Sequence, residues 1–328
     1  MNPAILARNF IQVAWRSYRM GFVVLVVGIL LAIFAPHFLR ADNIINVLTN
    51  ASVVAIVGLG MTLAIASGNF DLSVGATAAF ASVVSLSMVP HYGVFISVLI
   101  GLVVGAIVGF CNGIIITELR VPAFIATLGT LTIVRGFSLI YTKGQDITLF
   151  GDTGYKVLSG GRLLGIPAPI IMAVALAAVL AAVMKYTPFG RHTLAIGSNA
   201  AAARKAGVRV NPVLWGVFAI VGATAALTGM IVSAQVLTAN GRLDTGLELQ
   251  AIAVVVIGGT SLSGGQATLV GTLLGSILIT MINNGLNLLN VPASYQLLTV
   301  GVLLLLAVAL EVSRGLDLRK VLRIGTSA

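Results

Sequence analysis

The side chains best suited to handling a polar solute are amides. Asn283, Asn284, Asn287 and Asn290 crowd the stretch MINNGLNLLN. On a helix, Asn283 and Asn287 (i, i+4) share a face, as do Asn284 and Asn287 (i, i+3). Neutral amides both donate and accept, so they can pass a polyhydroxyl molecule without trapping it electrostatically. The same groups also suit hydrogen bonds between helices. Two charged residues lie in apolar surroundings. Asp71, in SGNFDLSVG, stands between Gly68 and Gly75 with Asn69 beside it. Asp71 and Asn69 are candidates to line a solute route, and capping of the next helix is the other role open to Asp71. Arg135, in LGTLTIVRGFSLIYT, must face a cavity, a carboxylate or carbonyls, because a lone charge in hydrocarbon is costly. It either lines a route or closes a structural ion pair.

Other chemistries are excluded. Ser261–Gln266 reads SLSGGQ, the signature of ATP-binding-cassette ATPases, yet the chain has no Gly-Lys pair and therefore no phosphate loop. The stretch reads as a tight turn between apolar runs, and this chain does not hydrolyse ATP by itself. Cys111 is the lone cysteine, and His37, His91 and His192 stand far apart, so no metal cluster and no cofactor site are expected. No nucleophile–His–acid set and no paired carboxylates point to an enzyme. Asp71, Glu118 and Arg135 are too few for the ionisable relay of a proton-driven or sodium-driven carrier.

The elements that must position these groups are membrane helices. The chain has 328 residues, 58% hydrophobic and 9% charged, with 37 glycines, against about 25% charged in soluble domains. Its net charge of +10 is spread between apolar spans and does not indicate nucleic acid. Ten spans are expected, near 21–37, 47–67, 72–89, 93–117, 122–141, 168–186, 212–236, 248–261, 267–289 and 294–311. The whole chain reads as one all-α polytopic transmembrane domain. Of the 19 Lys and Arg residues, 13 lie inside and 5 outside if both termini are cytoplasmic, with Arg135 in a span. That places segment 1–20, loop 187–211 and tail 312–328 in the cytoplasm. The loop Thr142–Pro167 is then external and shows no periodicity. Gly68-x-x-Asp71, VGAIVG (104–109) and Val121-Pro122 recur in order as Gly241-x-x-Asp244, VGTLLG (270–275) and Val291-Pro292. Five spans separate the copies, so spans 2–5 and 7–10 form an expected inverted repeat.

Within loop 187–211 a short helix is expected. Ser198 or Asn199 caps it, alanines including Ala200, Ala202 and Ala203 favour it, Arg204 and Lys205 suit its last turn, and Gly207 ends it.

GMTLAIASGNFDLSVGA, VPAFIATLGTLTIVRG, FGRHTLAIGSNAAAARKAGV, GLELQAIAVVVIGGTSLSGG and VGTLLGSILITMINNGLNLLNVPASYQ follow one another along nearly the whole chain. Together they resemble the permease subunits of monosaccharide ATP-binding-cassette importers. That family usually has Gly-Gly-Ile-Asp-Leu-Ser where Ser67-Gly68-Asn69-Phe70-Asp71 stands here. The resemblance implies a multi-pass bacterial inner-membrane subunit that pairs with a second permease, identical or not. It also implies ATP-binding subunits that hold ATP and Mg, and a periplasmic or surface sugar-binding protein. It makes Asn199–Gly207 the helix that couples to the ATPase. Related permeases carry nucleosides or branched-chain amino acids, and a stand-alone secondary carrier is the alternative of a different class.

Overall fold

A computed structural model describes residues 20–151 and 154–315. Arg8, Arg16, Arg19, Arg319, Lys320 and Arg323, on which part of the expected charge asymmetry rests, lie outside the described residues. The described chain is mostly helical: α1 (Met20–Phe34), α2 (Ala41–Ala66), α3 (Val74–Thr117), α4 (Ala123–Thr142), α5 (Val157–Gly160), α6 (Ala168–Tyr186), α7 (Pro188–Lys205), α8 (Val210–Val236), α9 (Leu247–Ile257), α10 (Leu269–Leu288) and α11 (Ala293–Gly315). Six of them (α2, α3, α4, α6, α8 and α10) are long and apolar enough to cross a membrane, and α1, α9 and the apolar part of α11 are shorter.

The second expected span begins earlier than the hydropathy indicates, at Ala41. The third and fourth appear as one helix broken at Gly93, where φ is 73°. Its limbs are antiparallel. Gly101 approaches Ala81 and Ser85, and Asn112 Nδ2 donates to Ser73 Oγ at 2.9 Å. The eighth, already short in the expectation at 248–261, is shorter still. α9 has 11 residues, about 16 Å of helix, and cannot cross a bilayer without the loop that follows it.

α2 and α8 occupy the centre. From Ala51 to Ala66 every α2 residue is buried, as expected of a helix that is apolar all round. They run antiparallel, with Thr228 Oγ1 donating to the Val53 carbonyl and Gly60 against Thr224. α4 buries only Ala126, Thr127, Thr130, Val134, Ser138 and Thr142, a single stripe of a peripheral helix. α3 and α8 meet backbone to backbone. A methyl group on Gly105 would overlap Gly222 O, and one on Gly109 would overlap Phe218 O. Between membrane helices, where water supplies no hydrophobic drive, small residues give attraction by letting backbones approach.

The stretch 142–167 is more ordered than its lack of periodicity implies. Strand β1 (Ile147–Thr148) pairs antiparallel with β4 (Thr238–Ala239), and β2 (Arg162–Leu163) with β3 (Ile166–Pro167). Tyr155 is fully buried beneath this cap, against Ser85 and Ser233. The β1–β4 ribbon marks one end of the bundle and α7 the other.

Gly109→Ala forces the α3–α8 contact apart, an overpacking penalty of about 1–3 kcal/mol, and lowers the unfolding midpoint in detergent. Gly129→Ala meets nothing within 4 Å and leaves the midpoint unchanged or raised. Equal behaviour of the two variants would show that the glycine contact does not hold these helices.

Candidate solute cavity

Towards the ribbon end, α2, α9 and α10 enclose a cavity of about 180 Å³ lined by Val47, Asn50, Val54, Gln250, Thr280, Asn283, Asn284 and Asn287. The three asparagines converge because they share one helical face, which Thr280 extends by a turn. Asn43 and Asn284 exchange hydrogen bonds of 3.0 and 2.8 Å, tying α2 to α10. Asn287 Oδ1 accepts from Gln296 Nε2 of α11 at 2.6 Å. Asn283 Oδ1 is buried without a hydrogen-bond partner, one of several such oxygens among the described residues. No charged side chain lines the cavity.

The other three candidates lie elsewhere. Asn69 donates to Ser67 O and Oγ, both at 3.1 Å, inside its own turn. Asp71 is buried and accepts from Ser73 N at 2.8 Å, Ser73 Oγ at 2.6 Å and Asn112 Nδ2 at 3.4 Å. It closes a turn on Ser73, the residue before α3, and does not cap the helix, whose N-cap Ser73 makes no side-chain capping bond. Arg135 Nη1 donates to the carbonyls of Gly241 and Leu243, each at 2.9 Å. The guanidinium thus pins the loop that leads into α9. The carboxylates of Asp244 and Glu248 act on it electrostatically. Burial pushes the Asp244 carboxyl up to about 7, against the pull of Arg135. Gln250 follows one turn further along α9.

At the α7 end, Asn199 and not Ser198 is the cap. α7 breaks at Asn199, and Asn199 Oδ1 accepts from Ala202 N at 2.9 Å. Gly207, at φ 84°, ends the turn, and Val208 N donates to Ala203 O at 3.0 Å. Ala203 turns into the bundle, whereas Ala200, Ala202 and Arg204 are exposed.

Asn50, Gln250 and Thr280 were not among the candidates from sequence. Thr280 carried a signal, its i, i+3 and i+7 relation to Asn283 and Asn287. Asn50 shares a helical face with Asn43 and Asn46 at i−7 and i−4, a signal of the same kind, whereas Gln250 is a single amide that only packing puts opposite that face.

The described residues thus form a mostly helical protein with six helices apolar and long enough to cross a membrane and a cavity lined by neutral amides. Residues 43–308 match the family model described as branched-chain amino acid transport system / permease component, and the chain belongs to that family. It is 41% identical to the ribose import permease protein RbsC of Bacillus subtilis, over 89% of this chain and 91% of that protein. It is 39% identical to the RbsC of Haemophilus influenzae, over 88% and 91%. The autoinducer 2 import system permease protein LsrC of Salmonella paratyphi B is 35% identical over 82% of this chain and 78% of its own length. No solved structure matches the chain.

The Asp244 carboxyl titrates near 7 in the folded chain, against an ordinary value of 3.8. The folded state therefore holds this proton more tightly, and stability falls as pH rises through that window. Asp244→Asn raises the unfolding midpoint most above pH 7, and its advantage shrinks as pH falls towards 4. A constant difference from pH 4 to 8 would mean that Asp244 carries no such burden.

Proposed function

We propose that this chain is the permease subunit of an ATP-binding-cassette importer of the bacterial inner membrane, and that its solute is a monosaccharide. The observation that carries the solute class is the cavity lining: five amide side chains and a hydroxyl, with no formal charge. Such a lining offers a sugar several donors and acceptors and gives the ammonium and carboxylate of an amino acid no counter-charge. The ribose permeases among the relatives support the same reading over the family description's amino acids.

In this reading α1, α2, the two limbs of α3, α4, α6, α8, α9 with its loop, α10 and α11 make ten crossings, with both termini and α7 cytoplasmic. The inverted repeat is supported by backbone detail. Arg120 (φ 55°) and Asn290 (φ 56°) occupy the same left-handed position before Val-Pro and a helix, and α2 and α8 run in opposite directions. Arg135 is a positioning residue for the external loop rather than a contact for the solute.

The chain works with a second permease subunit, with ATP-binding subunits that hold ATP and Mg, and with an external sugar-binding protein. The helix after Asn199 presents Ala200, Ala202 and Arg204 to the ATPase, while Ala203 and Gly207 fix its seat. Nearly flat alanine surface allows close approach, and a helix transmits displacement because its backbone bonds are satisfied internally.

Uptake in vesicles requires all three kinds of subunit. Uptake by this chain alone would instead identify a secondary carrier. Ala202→Asp places an unpaired charge in the contact, a penalty of roughly 2–5 kcal/mol, and abolishes both transport and ATPase co-purification. Asn284→Leu with Asn287→Leu lowers sugar uptake while the ATPase still co-purifies, and full uptake would leave these amides as helix contacts only. In a Cys111→Ser background, Leu164→Cys, at 95% exposure, reacts with an impermeant thiol reagent from outside. Arg204→Cys reacts only after permeabilisation, and the reverse pattern overturns the topology.

A further inference from the structure

The SLSGGQ loop, which neither hydrolysis nor solute binding uses, sits where three elements meet. Gly265 N donates to the carbonyl of Ala66, the last residue of α2, at 2.9 Å. Gly264 lies against Gly197 of α7 and Gly68 beyond α2, so closely that a side chain at 264 would overlap both backbones. A methyl group on Gly265 would strike the Ser198 side chain, and one on Gly197 would strike Ala66 O and Gly265 N. Gly264 and Gly265 have φ of 78° and 76°, which turns the loop into this contact. Ser198 immediately precedes the Asn199 break.

Two of the three elements that meet at the junction, α2 and the α9–α10 loop, also lead to the cavity. α2 ends at the junction and lines the cavity at Val47, Asn50 and Val54. From Asn50 to Ala66 is 16 residues of helix, about 24 Å. The loop joins α9, which carries Gln250, to α10, which carries Thr280 and the asparagines. Those two helices are locked together at the junction end. Gly258 packs on the Gly271 backbone, Thr268 Oγ1 donates to Gly258 O at 3.1 Å, and the hydroxyls of Thr260 and Thr268 are 3.0 Å apart. Backbones in van der Waals contact leave no slack, so displacement of one moves the others.

We propose that Gly197, Ser198, Gly264 and Gly265 form the joint through which displacement of α7 is passed to α2 and to the α9–α10 pair, changing the width of the cavity about 24 Å away. The source of the force rests on the importer reading; the joint itself belongs to this chain. Its residues are positioning residues that touch neither solute nor nucleotide.

Gly265→Ala loosens the joint by pushing Ser198 away and by straining a backbone held at φ 76°. Ser198→Gly in the same chain removes the side chain that the added methyl group strikes and leaves the backbone strain. In proteoliposomes with the ATPase and binding protein, Gly265→Ala retains ATPase co-purification and keeps basal hydrolysis within about twofold. It lowers sugar carried per ATP at least about fivefold, and the double variant recovers at least about half of the loss. Unchanged sugar per ATP, failure of Ser198→Gly to rescue, or parallel loss of co-purification overturns the joint. A second arm uses the permease alone in a Cys111→Ser background, because Cys111 is exposed. The rate of thiol labelling of Gln250→Cys changes at least about threefold with Gly265→Ala and returns with Ser198→Gly. An unchanged rate overturns the joint even if no ATPase drives uptake, a result that by itself would sink only the importer reading.

Discussion

Close approach of helix backbones is the constraint on which this structure depends. In lipid each helix satisfies its own backbone groups, and apolar side chains gain little by leaving hydrocarbon for one another. What remains is dispersion, which rewards contact at short range. The glycines of α3 and α8 supply that contact at the centre, and those of α9, α10 and α7 supply it at the α7 end. Where the same residue type recurs, its role differs. Gly105 and Gly109 weld α3 to α8, whereas their counterparts Gly271 and Gly275 hold α10 against α9.

Polar groups are placed around that framework according to what satisfies them. Buried threonines bond back to their own helices, as Thr62 does to Gly58 O, and then reach across, as Thr62 does to Thr272 at 2.7 Å. Asp71 and Arg135 are both consumed by backbone donors or carbonyls and by neighbouring side chains. The amide cluster leaves Asn283 Oδ1 buried without a hydrogen-bond partner, as Asn112 Oδ1, Ser138 Oγ, Asp244 Oδ2 and Glu248 Oε2 are elsewhere. What sets the amide cluster apart is that five amide side chains from three helices face one cavity. The cavity lining is thus polar and neutral rather than charged.

The short α9 links these two themes. It starts at a loop held by Arg135, carries Gln250 into the cavity and ends at a junction with α2 and α7. A full-length span in its place would be fixed by lipid at both ends. An 11-residue helix is positioned instead by its two loops, so whatever moves those loops moves the cavity wall.

Membrane class, the amide cluster, the capped helix before Gly207 and the family were legible in the chain, because each rests on local composition or spacing. Asn283, Asn284 and Asn287 share a face through helical periodicity alone, and Asn199 and Gly207 act within one turn of their own backbone. Three things were decided only by tertiary structure. Asn50 and Gln250 join the cavity through the packing of α2 and α9 on α10; the Asn43, Asn46, Asn50 spacing marks a polar face of α2 but does not name the helix it meets. Arg135 faces the carbonyls of a loop more than a hundred residues later in the chain, and an isolated charge in an apolar run does not reveal its partner. SLSGGQ reads as an ordinary turn until Gly197 and Ala66 are brought against it. Local sequence determines which conformation a segment prefers, while the contacts that give a residue its role are made between segments far apart in the chain.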